Sequence, residues 1–122
     1  MRAAKESEIQ ATILDGLRAL HIFAFRLNTG AMPVKTAKGF RPMRFHSLGP
    51  GAADILAFPQ RIDHPSLSIE VVPCWIEVKN DRGIQSAEQI SFQGFVEGEH
   101  HIYLMARSWD DVLIYLTERK LC

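Results

Sequence analysis

Two short apolar runs, each charged at one end, constrain this chain more tightly than anything else in its 122 residues. The first, Asp54-Ile55-Leu56-Ala57-Phe58, opens on an acid and is stopped by Pro59. The second, Cys74-Trp75-Ile76-Glu77-Val78-Lys79, ends in an acid and a base. Runs of this length and character, bounded by proline and turn residues, read as buried strands. Side chains alternate along a strand, so Glu77 and Lys79 share one face while Val78 points to the other. If the two strands are neighbours, Asp54 and Glu77 converge.

Two carboxylates and an open face suit a hard divalent cation. Mg²⁺ or Mn²⁺ takes oxygen donors at about 2.0–2.1 Å and fills its remaining positions with water and phosphate oxygens. Such a site supports phosphodiester hydrolysis, with Lys79 holding the nucleophile or offsetting the charge that develops on phosphorus. The carbonyl of Val78 is a further candidate ligand. The competing reading makes Glu77 and Lys79 a solvated pair on an edge strand, an arrangement that is common and weak.

Gly51-Ala52-Ala53-Asp54, Trp75-Ile76-Glu77-Val78-Lys79 and the Gln89 of Ser86-Ala87-Glu88-Gln89 together resemble the virus-type replication-repair nuclease (VRR-NUC) domain, a branch of the PD-(D/E)XK nuclease superfamily. The resemblance covers most of the chain. The family pattern runs from an acid on the first helix through G-x-P-D and (I/V)-E-x-K to a glutamine opening the next helix. Ala53 stands where the proline is usual, which alters the stiffness of a turn and leaves the ligand in place.

The resemblance implies an α/β fold with a restriction-endonuclease-like core, a central mixed sheet flanked by helices in the order α-β-β-β-α-β-α. It implies a Mg²⁺- or Mn²⁺-dependent DNA endonuclease in which Asp54, Glu77 and the Val78 carbonyl hold the metal. Lys79, Gln89 and Glu6 complete the catalytic set, Glu6 reaching the metal directly or through water. Free-standing members are associated with phage and bacterial replication, repair or recombination, and some resemble homodimers that resolve branched or Holliday-junction DNA. A catalytically silent nucleic-acid-binding scaffold on the same fold is the rival class. Against it, acids without a metal would repel phosphate.

The first helix offers an independent check. Ile9, Ile13, Leu17 and Leu20 fall within an arc of roughly 80° on a helix running from Lys5 to Leu20, and Glu6 projects into the same arc. An acid on an apolar stripe is costly unless it is paired, protonated or bound to a cation. Near a helix start it is also favoured by the dipole and can reach water, so both readings stand. Gln89 likewise has two: Ser86-x-x-Gln89 is a capping box, and the family pattern turns the same side chain towards the active site.

The length and the 47% hydrophobic content suit one domain, residues 1–122. No apolar run approaches the roughly 20 residues of a membrane helix, and the N-terminus leads into an amphipathic helix without a signal-peptide core. The expectation is a cytoplasmic protein of a bacterial or phage-infected cell with no membrane partner. Cys74 and Cys122 make neither a disulfide framework nor a zinc spacing. The five histidines are scattered and carry no metal motif.

Net charge is zero, from 14 basic and 14 acidic residues, but the charges are segregated. No acid lies between Asp15 and Asp54, a span that holds Arg18, Arg26, Lys35, Lys38, Arg41 and Arg44. Arg26 and the four cations after it are the candidate DNA contacts, since phosphate recognition calls for spaced Lys and Arg. Gly30, Pro33, Gly39 and Pro42 make Thr29 to Pro42 read as a mobile loop or a loosely held hairpin, with a strand at Met43 to His46. Further strands are expected at Ile22 to Leu27 and Ile102 to Ala106, with a turn at Arg61 to Pro65 and strand character from Leu67 to Val72. Helices are expected from Ser86 to Val96 and, capped by Ser108-x-x-Asp111, to about Arg119. Trp109 and Tyr115 on that last helix suit either a dimer interface or the core.

Overall fold

The computed structural model describes residues 4–27, 29–46, 51–63 and 66–122. Helix α1 (Glu6–Ala19) buries Ile9, Ile13, Leu14 and Leu17 and carries Glu6 and Glu8 in its first turn, where acids favour the dipole. Strand β1 (Phe23–Arg26) follows, then a hairpin of β2 (Thr29–Thr36) and β3 (Gly39–His46). Strand β4 (Ile55–Phe58) leads into a second hairpin, β5 (Gln60–Asp63) and β6 (Ser68–Val71). The rest is β7 (Cys74–Val78), α2 (Ala87–Gly98), β8 (Ile102–Ala106) and α3 (Trp109–Glu118).

The four strands β1-β4-β7-β8 form one mixed sheet, in that order. β1 is antiparallel to β4 and β4 to β7, while β7 and β8 run parallel. The parallel pair requires a long crossover, and α2 supplies it. The protein is therefore α/β, with a mixed four-stranded sheet and three helices among the described residues.

The alternation expected of Cys74 to Lys79 divides the core. Cys74, Ile76 and Val78 face α1 and α3 and pack with Ile13, Leu17, Ile55, Ala57, Val112 and Leu116. Trp75 faces the other way and packs with Phe92, Val96 and Tyr103 beneath α2. Beyond α2 that same face carries Phe23, Phe25 and Phe58, whose ring centroids lie 5.7–6.2 Å apart, with Phe23 68% exposed.

Two segments are more ordered than the alternatives allowed. Of the two readings of Thr29 to Pro42, loop or hairpin, the structure has the hairpin, and the strand expected at Met43 is the end of β3. Its prolines mislead because they usually break strands. Here Pro33 stands opposite Pro42, so neither missing amide interrupts the ladder. Arg61 to Asp63 is likewise strand, paired with Ser68 to Glu70. Its Arg61–Glu70 ion pair, at 3.2 Å, is exposed and contributes little. With the two hairpins counted as insertions, the remaining elements follow the order α-β-β-β-α-β-α. On α3, burial wins for Trp109, which packs on the α1 face of the core. Tyr115 lies under the Arg119 guanidinium, 3.6 Å from its ring centroid. Among the described residues no helix is long and apolar enough to cross a membrane.

Candidate metal and phosphodiester site

The site gathers where β4 begins and β7 ends. Asp54 precedes β4 and is fixed on both sides by backbone: its carbonyl accepts from the Leu27 amide (2.8 Å) and its amide donates to the Ile76 carbonyl (3.1 Å). Its side chain then crosses to the neighbouring strand, where Oδ2 accepts from the Val78 amide at 2.8 Å.

Glu77 is 3% exposed, the sole buried charged side chain among the described residues. Its Oε1 accepts from Gln89 Nε2 at 2.7 Å and lies 3.8 Å from Lys79 Nζ. Its Oε2 is buried and has no donor. The Asp54 and Glu77 carboxyl groups are within hydrogen-bonding reach of each other. Two carboxylate oxygens cannot bond without a proton or a cation between them.

The electrostatics express this conflict. Burial, then the adjacent Asp54 carboxylate, pushes Glu77 up to about 8, with Lys79 pulling the other way. Burial raises Asp54 as well, against the Val78 amide that favours its charged form. Burial and mutual repulsion thus both disfavour ionising the two carboxyls together, and the pair takes up a proton more readily than two free carboxyls would. The negative charge of Glu6 raises both groups.

Gln89 makes the capping box and reaches Glu77 with the same side chain. Its amide oxygen accepts from the Ser86 amide at 2.8 Å, the Ser86 hydroxyl accepts from the Gln89 amide at 3.2 Å, and its Nε2 is left for Glu77. Only one orientation of the amide meets both partners. Ser86→Ala is expected to cost about 1 kcal/mol of stability, read as a lower denaturant midpoint. It should also loosen the Gln89–Glu77 contact, read in a crystal structure of the variant, since Gln89 loses its anchor.

Glu6 opens α1 and is half-buried beside the Lys79 stem: a Cβ placed on Gly83 would meet Lys79 Cδ at 3.0 Å and Glu6 Oε1 at 3.2 Å. Among the described residues no three His, Cys, Asp or Glu side chains stand together as a metal-holding group. Asp54 and Glu77 thus form a two-carboxylate site that Glu6 influences through its charge.

The basic candidates are less closely gathered. Arg26 is exposed and lines a cleft against α1 with Leu14, Asp15 and Arg18, on the face opposite Glu77. Lys35 and Lys38 are exposed on the β2–β3 hairpin. The side chains of Arg41 and Arg44, and of Phe40 and Phe45, lie outside the described residues.

Sequence reasoning missed Arg107. Its guanidinium Nη1 donates to the carbonyls of Asn80 and Gly83, in the turn directly after Lys79. Nothing local in the sequence marks it, because the pairing of β8 with β7 brings it there. Gly51 supplies a second unmarked constraint. With φ +82°, it sits so close to α2 that a Cβ would lie 2.3 Å from the Glu88 carbonyl oxygen, tying the approach to Asp54 to the helix start that carries Gln89.

Compared with known proteins, the chain matches no family model, no curated protein and no solved structure.

Proposed function

We propose that this protein is a Mg²⁺- or Mn²⁺-dependent DNA endonuclease of the PD-(D/E)XK type. One observation carries the reading: the buried, donorless Glu77 Oε2 beside Asp54, in a site whose other Glu77 oxygen is already held by Gln89. An oxygen-rich pocket of this kind fits a hard cation better than a softer metal. The sheet order, the sequence of helices and strands around it, and the resemblance to VRR-NUC domains support the same reading.

Asp54 and Glu77 would hold the ion, with the Val78 carbonyl as third protein donor. When bound, it supplies Lewis-acid polarisation of the phosphodiester and a lowered pKa for water. The protein's own groups do the rest. Gln89 fixes the rotamer of Glu77, and the Val78 amide fixes that of Asp54. The Lys79 ammonium, at 3.8 Å only loosely paired with Glu77, is available to hold a nucleophile or meet charge on the phosphoryl oxygens. Lys35, Lys38, Arg41 and Arg44 on the basic hairpin, with Arg26, would contact backbone phosphates. The family resemblance extends the proposal to a homodimer acting on branched or four-way DNA.

The test incubates linear, flap and four-way DNA with Mg²⁺, Mn²⁺ or EDTA. Wild-type protein should cut in either metal and not in EDTA, and Lys79→Ala should be about 10²–10³-fold slower. Equal rates on linear and four-way substrates would remove the junction preference. Binding without cutting in every lane would replace the enzyme with a scaffold.

A further inference from the structure

The turn after β7 runs from Asn80 to Gly83 and closes on itself. The Gly83 amide donates to the Asn80 carbonyl at 3.2 Å, and the Arg82 amide donates to Asn80 Oδ1 at 3.0 Å. Gly83 forms a wall for two site residues. A Cβ there would fall 3.0 Å from Lys79 Cδ, 3.2 Å from Lys79 Cβ and 3.2 Å from Glu6 Oε1. The Lys79 stem and the Glu6 carboxylate therefore both rest against this one backbone position.

Arg107 holds the wall from outside. It follows β8 directly, and its Nη1 donates to the Asn80 carbonyl and, at 2.9 Å, to the Gly83 carbonyl, so it grips both ends of the turn. Arg107 is itself anchored twice. Its amide donates to Asp111 Oδ2 of α3 at 2.9 Å, and the residue before it, Ala106, accepts the Lys79 amide at 3.0 Å. Its guanidinium is half-buried, and the carbonyls it satisfies are neutral, so the bonds do positional work and not charge neutralisation.

We infer that Arg107 is a positioning residue: by clamping Asn80 and Gly83 it sets the wall that holds the Lys79 ammonium near Glu77 and keeps Glu6 at its distance. The consequence for cleavage rests on the nuclease reading. The clamp itself does not.

Kinetics and crystal structures of Arg107→Gln, Arg107→Lys, Gly83→Ala and the Arg107→Gln/Gly83→Ala pair test it. A displacement of about 1 Å at a reacting group costs roughly 10²-fold, so kcat should fall by that order in Arg107→Gln while KM for DNA stays put. Lysine, with a point charge in place of a fork, should recover only part of the loss. The double variant should lose little beyond Arg107→Gln, because both changes act on one turn. An unchanged kcat, or a weakened KM with a salt dependence reduced by about one phosphate contact, would overturn the inference in favour of no role or direct DNA contact. In the crystal structure of Arg107→Gln, Lys79 Nζ should lie farther from Glu77 Oε1 than the present 3.8 Å. An unmoved turn and ion pair would overturn the clamp whether or not DNA is cut. A wild type that leaves DNA intact while the variant's turn moves would sink the nuclease reading alone.

Discussion

Replacing Glu77 by glutamine should raise the melting temperature of the metal-free protein at pH 8 by roughly 4–8 °C and, on the proposed nuclease reading, remove metal-dependent cleavage. The side chain is buried, one of its oxygens has no donor, and the Asp54 carboxyl is its neighbour. Glu77 holds its proton more tightly in the folded state, up to about 8 against 4.5 for the free group. Stability from the protonated form is therefore fully present below pH 4.5 and is lost as pH rises through about 8. Asp54, raised as well, acts in the same direction. Glutamine keeps the shape, accepts from Gln89 with its oxygen and offers an amide hydrogen to Asp54 at every pH.

Melting curves of the wild type should accordingly fall between about pH 5 and pH 8, and those of Glu77→Gln, in which only Asp54 still titrates upward, should fall less across the same range. Mg²⁺ or Mn²⁺ at pH 8 should restore stability to the wild type by binding only the folded state, and give the variant little. Parallel curves for the two proteins would mean that Glu77 is not the group in conflict. A variant that still cut DNA would remove Glu77 from the metal.

The second large effect belongs to a residue with no side chain. Gly51→Ala should cost roughly 2–5 kcal/mol, combining a left-handed backbone with an overpacked contact. The new methyl would lie 2.3 Å from the Glu88 oxygen and 2.4 Å from its carbonyl carbon, so helix backbone, not a flexible side chain, must move. The helix that must move carries Gln89, and the strand approach that must move carries Asp54. Thermal denaturation should show a fall of about 10–20 °C. On the proposed nuclease reading, cleavage by the folded fraction should fall as well. A variant that melts with the wild type would show that this contact has slack.

Several features needed no tertiary information. Period-two alternation put Glu77 and Lys79 on one face whatever the neighbours, and the same alternation now separates the Cys74, Ile76 and Val78 face from the Trp75 face. The capping box at Ser86 and Gln89 was legible because its partners are three residues apart. Helix α1 lies within a residue of its expected ends because its apolar stripe is local. The hairpins were only half legible. Glycine and proline between residues 29 and 42 left loop and hairpin both open, and only the pairing of Pro33 with Pro42 reveals why the strand tolerates them.

What the sequence alone determined is which way residues point along their own elements and which helix ends are capped, since φ/ψ periodicity and capping act over a few residues. The tertiary structure decided what meets what. Strand order set Asp54 against Val78, the α2 crossover brought Gln89 onto Glu77, and the parallel pairing of β8 delivered Arg107 to the turn after Lys79. Those contacts join positions far apart in the chain, and the burial that leaves Glu77 Oε2 without a donor exists only once the sheet and its helices have closed around it.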